Sequence, residues 1–287
     1  MDQGRKMSNI FNYQTLKVKL DKATRTLYIK LDNDHIDNPL NVETLFELES
    51  LLAWMTNRIE IHSVFIDSSS DIFSTGYNRT VLKKLDVKKL AKFTSKLQKI
   101  NQAIMLLPQT FVIDLQMGAS NIASELATAC DIRIANRACE ISFDHAQLGI
   151  IACSGGIAQL GQIVGHGNAK NWLLTGGKIG FQKLISTGYV FEGYTMADRE
   201  IVRKKILTDI YTQAPVQRIQ TKMALSENIR EEVESKLANE SKIAKAAMVS
   251  EDWKDENLNN PMPANSMKTA VKLSIVKDND QDQDLPN

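Results

Sequence analysis

Short apolar segments with a two-residue period alternate with longer helical ones in the first 120 residues. The segments TLYIKLDN (26–33) and SVFIDSSS (63–70) are rich in β-branched residues and end in polar turn residues, which is typical of strands. Between them, residues 41–59 (NVETLFELESLLAWMTNRI) have the spacing of an amphipathic helix. The pattern predicts a strand, a helix and a second strand.

The same order is repeated further along the chain. Residues 89–107 (KLAKFTSKLQKINQAIMLL) form a helical pattern that stops at Pro108, and TFVIDLQM (110–117) then reads as a third strand. A helix capped by Asn121 or Ser120 should follow and run to about residue 129. Alternating strands and helices of this kind predict an α/β fold.

The second half of the chain changes from mixed to helical. DIRIA (131–135) and CEISF (139–143) predict two short strands, and residues 169–190 read as a helix, a Gly-rich turn, a helix and a strand. From residue 196 to about 255 the pattern is nearly all helical, with Pro215 close to a helix start. An α/β body should therefore precede a helical end.

We divide the chain into four parts. Residues 1–13 are expected to be a flexible N-terminus, residues 14–195 an α/β core, and residues 196–258 a helical region that mediates oligomerisation. Residues 259–287 end in KDNDQDQDLPN and contain few apolar residues near that end, so we expect a largely disordered tail.

Composition narrows the class of protein and of partner. The chain has 287 residues, of which 43% are hydrophobic and 24% charged, as in ordinary globular proteins. Its 35 Lys and Arg against 34 Asp and Glu give no broad charge for binding nucleic acid or a membrane surface. No apolar run is long enough to cross a bilayer, and the three cysteines lack metal-ligand spacing, so we expect no metal and a cytoplasmic location.

Glu125 is the first candidate for chemistry, because it lies among small and apolar residues in MGASNIASELATACD (117–131). A buried carboxylate needs either a partner or a chemical role. One reading is a helix-end charge that complements the helix macrodipole, which is worth about 0.3–1 kcal/mol. The other reading is a general acid or base in a pocket.

Two further segments and one thiol could contribute. IFSTGYN (72–78) is a strand that ends in a Gly turn, and such turns can offer backbone N–H groups to a developing oxyanion, although most are only turns. His145 in FDHAQLG is either structural or a proton donor or acceptor near neutral pH. Cys153 in IIACSGG reads as a small buried thiol rather than a nucleophile, because no base is placed by local spacing.

Several segments, in order, resemble the crotonase superfamily, that is, the enoyl-CoA hydratase/isomerase family. They are FSTGYN, ASELATACDIRIAN, LGIIACSGGIAQLGQIVG, LLTGGKIGFQKLISTGYV, PVQRIQTKMAL and SEDWK, and the likeness extends from about Leu16 to Trp253. The resemblance implies a spiral of ββα units with a C-terminal helical region. It also implies a homotrimer, or a hexamer formed by two trimers.

The resemblance gives Glu125 a specific role. Hydratases of this family have one catalytic glutamate at the start of the helix after a glycine run, and Glu125 falls on that position. A second glutamate normally lies twenty positions later and four before a glycine. Here Gly149 is that glycine, and His145 replaces the glutamate. The implied acid–base pair is therefore Glu125 and His145.

The implied oxyanion hole is also altered. Its two backbone N–H groups match Thr75 and Ile122, but Asn121 and Ile122 stand where the family has glycines, which should crowd or reshape the hole. Tyr77 and Asn78 replace the usual alanine and aspartate, so the adenine and pantetheine contacts should differ. By the same resemblance, substrate contacts are expected at Ser74, Gly76, Tyr77 and Asn121.

The leading expectation is an enzyme that acts on an acyl thioester of coenzyme A in fatty acid metabolism. Hydration, dehydration and double-bond isomerisation all pass through an enolate-like species that an oxyanion hole would stabilise. Coenzyme A would be part of the substrate, and no other cofactor is expected. One alternative is a catalytically degenerate homologue that binds acyl-CoA or a protein partner. Another is an enzyme that acts on acyl-carrier-protein thioesters in biosynthesis.

Overall fold

The computed structural model describes residues 11–33 and 35–255, apart from the side chains of residues 228 and 229. The strands are β1 (Leu16–Asp21), β2 (Thr26–Leu31), β3 (Ser63–Ser68), β4 (Thr110–Asp114), β5 (Gly118–Ser120), β6 (Ile132–Asn136), β7 (Glu140–Ser142), β8 (Ile179–Gly180) and β9 (Glu192–Tyr194). The helices are α1 (Val42–Met55), α2 (Arg79–Leu82), α3 (Val87–Leu106), α4 (Ile122–Ala129), α5 (Gly156–Val164), α6 (His166–Thr175), α7 (Phe181–Ser186), α8 (Arg199–Thr212) and α9 (Pro215–Ala247).

The expected α/β organisation is confirmed. Six strands form the larger sheet in the order β1-β2-β3-β4-β6-β9, in which β1 and β2 are antiparallel and the other neighbours are parallel. Helices α1 and α3 make the crossovers between parallel strands, as the alternating pattern predicts. Strand β1 was not among the predicted elements, although its apolar residues alternate with charged ones as in a half-buried strand.

Helix boundaries follow the local capping chemistry. The Asn41 side chain caps α1 by accepting a hydrogen bond from the Thr44 N–H at 2.8 Å. Asp86 caps α3 in the same way through the Lys89 N–H, at 2.7 Å, and α3 ends two residues before Pro108. The predicted helices over 41–59 and 89–107 are therefore confirmed, with ends that differ by a few residues.

Two strand predictions need correction. The segment before Gly76 forms only isolated bridges, between Ile72 and Gln116 and between Ser74 and Ala119. The strand predicted at the end of residues 169–190 is wrong, since Tyr189 lies in a buried turn and the strand begins at Glu192. A smaller sheet, β5-β7-β8, packs beside these segments.

The core lies on both faces of the larger sheet. One face is covered by α1, α3 and α4 in a single large apolar cluster. The other face is covered by α8, whose apolar side chains contact the sheet in a cluster of Phe65, Val112, Ile134, Tyr194, Ile206, Leu207 and Ile210. Burial on both faces explains why all six residues of β3 are buried.

The helical C-terminal region consists of α8, α9 and two single turns of 3-10 helix. Helix α9 has 33 residues and starts with Pro215 in its first turn, which suits a residue without an N–H. It packs on α5 where Val233 and Leu237 meet Ala158. The helical prediction from residue 196 is confirmed as far as Asp255. Most of the predicted flexible N-terminus and the whole predicted tail lie outside the described residues.

Candidate active site

The segment before α4 sets the geometry of the site. Asn121 is the N-cap of α4, with φ 41° and ψ −115°, which is a conformation that a residue with a side chain rarely adopts. Its side-chain oxygen accepts a hydrogen bond from its neighbour, the Ile122 N–H, at 2.9 Å. Strain of this kind costs about 1–3 kcal/mol and persists only where the surroundings hold it.

Glu125 lies in the first turn of α4, with 1% of its surface exposed. Its Oε1 accepts hydrogen bonds from the N–H groups of Ser154, at 2.8 Å, and Gly156, at 3.0 Å. Both donors lie at the start of α5. The charge of Glu125 therefore complements the N-terminus of α5 as well as that of its own helix, α4. The carboxylate is thus paired with donors from a segment about thirty residues away.

His145 meets the other oxygen of the same carboxylate. Its Nε2 is 3.0 Å from Glu125 Oε2, and 2% of the residue is exposed. The contact needs one proton between the two atoms, which lies on Nε2 when the carboxylate is ionised. His145 Nδ1 is buried and has no hydrogen-bond partner among the described residues. The two residues predicted to form an acid–base pair are therefore in direct contact.

Glu240 is a second buried carboxylate at the start of α5, and no sequence prediction singled it out. It projects from α9; its Oε2 accepts from the Gly155 N–H at 2.9 Å, and its Oε1 accepts from the Ala158 N–H. Burial, together with the nearby charge of Glu125, raises its pKa to about 8, although the backbone donors oppose this. We call Glu125, His145, Glu240 and the N–H groups of residues 154–158 the α5 cap. The contact spans more than eighty residues, so no local signal could have revealed it.

The two N–H groups predicted to form an oxyanion hole are both occupied. The Thr75 N–H donates to the Asp37 carbonyl at 3.1 Å, and the Ile122 N–H donates to Asn121 Oδ1 at 2.9 Å. Asn121 Oδ1 also accepts from the Tyr77 N–H at 2.9 Å. A carbonyl oxygen of a substrate would have to displace these acceptors before it could bind.

The predicted substrate-binding residues line the same crowded space. A Cβ on Gly76 would lie 1.9 Å from Asn121 Oδ1, so only a glycine allows this close approach. The buried Ser74 hydroxyl accepts the Gly76 N–H at 2.9 Å. The Tyr77 ring is buried and packs on Phe93, with centroids 5.4 Å apart, and burial raises the pKa of Tyr77 well above its usual value. These four residues are brought together, but they mainly contact one another.

The end of the helical region covers the turn that follows His145. A Cβ on Gly149 would lie 2.4 Å from the backbone nitrogen of Trp253, and Gly149 has φ 73°. The Trp253 indole N–H donates to the Leu85 carbonyl at 3.2 Å. Close by, Cys153 and residues of α3 and α9 line a cavity of about 290 Å³. Burial raises the pKa of the Cys153 thiol, which fits the prediction of an inert thiol.

In the part of the chain that the structure describes, no group of three or more His, Cys, Asp or Glu residues could hold a metal ion. None of the described helices combines the length and the hydropathy of a membrane-spanning segment.

Comparison with known proteins identifies the family. Residues 21–265 match the family model for enoyl-CoA hydratase/isomerase. A short-chain-enoyl-CoA hydratase of Clostridium acetobutylicum is 25% identical over 239 residues, which are 83% of this chain and 92% of the relative. A trans-2-decenoyl-[acyl-carrier-protein] isomerase of Streptococcus mutans is 19% identical over 201 residues, 69% of this chain and 76% of the relative.

The fold is shared with solved structures. An enoyl-CoA hydratase from Bacillus halodurans superposes with a TM-score of 0.76 at 22% identity, covering 85% of this chain and 97% of that one. At this identity the likeness shows the fold alone. The family model, which matches most of the chain, shows the membership: the chain belongs to the enoyl-CoA hydratase/isomerase family of the crotonase superfamily.

Proposed function

We propose that this chain is a member of the family that binds acyl-CoA or a protein partner. In this proposal it does not hydrate or isomerise enoyl thioesters. One observation carries the proposal: the N–H groups of Thr75 and Ile122, at the family's oxyanion positions, donate to Asp37 and Asn121 of the chain itself. Removal of one oxyanion donor typically costs about 2.7–4 kcal/mol of transition-state stabilisation. Because both donors are engaged within the chain, an enolate would lack the hydrogen bonds that usually contribute most to its stabilisation.

The state of Glu125 supports the same proposal. A general base needs a free lone pair directed at the proton it removes. Glu125 accepts two backbone N–H groups on one oxygen and contacts His145 on the other, and its side chain has no exposed surface. In this proposal Glu125 keeps the family position but serves to hold the start of α5.

A second candidate is the enzyme that the resemblance implies, and the contact between Glu125 Oε2 and His145 Nε2 favours it. Here Asn121 would withdraw, and the Thr75 and Ile122 N–H groups would hold the thioester oxygen. Glu125 would take a proton from a water molecule while the oxygen of that water forms a bond to C3 of the enoyl thioester. His145 would give a proton to C2 of the enolate. The substrate would be an acyl-CoA or, as in the name of the Streptococcus mutans relative, an acyl-carrier-protein thioester.

A hydration assay decides between the two candidates. Purified full-length protein at high concentration would be given crotonyl-CoA and decenoyl-acyl-carrier protein, with acyl-CoA binding measured by calorimetry on the same samples. We expect no turnover above buffer from the wild type. Turnover by the wild type that Glu125→Gln and His145→Ala both abolish would overturn the proposal and establish the second candidate.

Asn121→Gly sharpens this test. The change removes the side chain that occupies the Ile122 and Tyr77 N–H groups. We expect the variant to bind acyl-CoA at least tenfold more tightly than the wild type, and adding Glu125→Gln to it should remove any turnover it gains. Identical acyl-CoA binding by the two proteins would show that Asn121 does not close the hole.

The assembly and location remain predictions. A homotrimer or hexamer is implied by the family resemblance, and α9 offers exposed apolar residues, among them Val216, Met223 and Leu225. Sedimentation of the full chain tests this, and a strict monomer would contradict it. A cytoplasmic location likewise remains a prediction.

A further inference from the structure

A separate cavity lies between the N-terminal half of α9 and the ends of α4 and α5. It is open to solvent on one side and has a volume of about 600 Å³, which is within the usual range for small-molecule sites. Neither Glu125, His145 nor Asn121 lines it. Three charged residues, Asp131, Arg218 and Lys222, share the lining with apolar side chains, which include Met105, Ile132, Ile163 and Leu225.

Arg218 has an unpaired edge. Its Nη1 donates to the Thr110 hydroxyl at 2.9 Å and to the Pro108 carbonyl at 3.3 Å. Its Nε and Nη2 are buried and have no hydrogen-bond partner among the described residues. These two N–H groups form one side of the guanidinium, which is the fork that binds both oxygens of a carboxylate. Arg218 is the one described arginine in which Nε and Nη2 are both buried without a hydrogen-bond partner.

The neighbouring charges leave Arg218 without a counter-ion of its own. Asp131 is the acid nearby, and its Oδ2 already accepts from Lys222 Nζ at 2.7 Å. Burial lowers the pKa of Arg218, and the charge of Asp131 opposes this only in part. His62 is also close, and its pKa is lowered by burial and by the charges of Arg218 and Arg25. The surroundings therefore favour one more anion.

From these observations we propose that the cavity beside Arg218, the Arg218 cavity, binds a monocarboxylate that carries an apolar chain. The carboxylate pairs with Arg218 Nε and Nη2, and the chain lies against the apolar part of the lining. Since both nitrogens are covered in the structure, binding requires a change in the terminal torsions of Arg218, and hydrogen bonds to the carboxylate would replace those that Nη1 makes to Thr110 and Pro108.

Octanoate is the probe, titrated into the full-length protein at pH 7 and followed by calorimetry. We expect saturable binding with one octanoate per chain. Octan-1-ol has the same chain length but no carboxylate, and it should bind at least tenfold more weakly. Arg218→Gln should weaken octanoate binding at least tenfold, and Arg218→Lys should also weaken it, because lysine keeps the charge but loses the fork. Arg137→Gln, at an exposed position, is the matched control and should bind as the wild type does.

A second variant guards against misfolding of the first. Gln217 lines the cavity but is exposed, so Gln217→Glu should fold normally while its charge repels octanoate. Gln182→Glu, exposed on α7, is its control. Equal binding of octanoate and octanol, unchanged binding by Arg218→Gln, or no binding at millimolar octanoate would overturn the proposal. If octanoate does not bind and Arg218→Gln changes the oligomeric state in light scattering, the carboxylate belongs to a second copy, and the small-molecule proposal fails.

Discussion

The two halves of α9 border two regions that differ in how their polar groups are used. In the C-terminal half, Glu240 joins Glu125 at the α5 cap, where both carboxylates accept backbone N–H groups. In the N-terminal half, Arg218 borders a cavity and has two donors without partners among the described residues. The polar groups of Glu125, at the position that the resemblance makes catalytic, all have partners, whereas two donors of Arg218 have none among the described residues.

The position of a residue in the chain does not by itself make it reactive. A residue at a catalytic position can act only if its lone pairs or protons are free when the substrate arrives. At the α5 cap those of Glu125 are committed to Ser154, Gly156 and His145. A ligand site needs polar groups without hydrogen-bond partners next to a cavity. The Arg218 cavity has both, among the described residues.

Removal of the Glu125 carboxylate should have the largest effect. Glu125→Ala leaves two buried N–H groups and His145 without an acceptor, so we expect the free energy of unfolding to fall by about 3–5 kcal/mol. Urea denaturation measures this. Glu231→Ala, at an exposed position on α9, should change it by less than about 0.5 kcal/mol. A Glu125→Ala protein as stable as the wild type would mean that the cap is not structural.

Glu240 should make stability depend on pH. Its pKa is raised to about 8 in the folded protein, so its stabilising contribution is complete below the unfolded value near 4.5 and is lost as pH rises through 8. Relative to Glu240→Gln, the wild type should lose on the order of 3 kcal/mol between pH 5 and 9. Urea denaturation across this range measures the difference. Parallel curves for the two proteins would contradict the prediction, and Glu234→Gln, an exposed change on α9, serves as control.

Asn121→Gly should have a smaller effect on stability. A glycine relieves strain at φ 41°, worth about 1–3 kcal/mol, but the buried N–H groups of Ile122 and Tyr77 lose their acceptor at a similar cost. We expect a net change within about 1 kcal/mol in thermal or urea denaturation. Asn121→Ala loses the acceptor and keeps the strain, so it should be clearly less stable than Asn121→Gly. The reverse order would show that the backbone there is not strained.

Arg218→Gln should have the smallest effect when no ligand is present. The change loses the bonds to Thr110 and Pro108 but also removes a partly desolvated charge. The free energy of unfolding should change by less than about 1 kcal/mol. A fall in the free energy of unfolding by more than about 2 kcal/mol would show that Arg218, like Glu125, mainly stabilises the fold.

Much of the fold could be predicted from local patterns. The α1 and α3 helices follow from apolar periodicity and from caps such as Asn41 and Asp86, which act within three residues. Strand β1 was not predicted, although its alternation of apolar residues with lysine and aspartate is the pattern of a half-buried strand, and Leu16 and Val18 are buried in the large apolar cluster. The strand at Glu192 was misplaced because the buried Tyr189 gives the same apolar signal in a turn.

The candidate site was only partly predictable for the same reason. The family pattern brings Glu125 and His145 into correspondence with an acid–base pair, and the structure brings them into contact. Nothing in the local sequence shows that Asp37 accepts the Thr75 N–H or that Glu240 reaches the start of α5. These contacts join residues 38 and 85 positions apart, and their partners are chosen by packing.

The sequence by itself determined the α/β order of elements, the helical C-terminal region and the altered residues at the positions that the family resemblance makes catalytic. Those features depend on periodicity, capping and residue identity, which act over a few neighbouring residues. Only the tertiary structure decided that Asn121 and Asp37 accept the two N–H groups expected to form the oxyanion hole, that two carboxylates meet at one helix start, and that Arg218 has an unpaired edge beside a cavity. Whether a polar group is free depends on which distant group packs against it, and that is fixed only when the whole chain has folded.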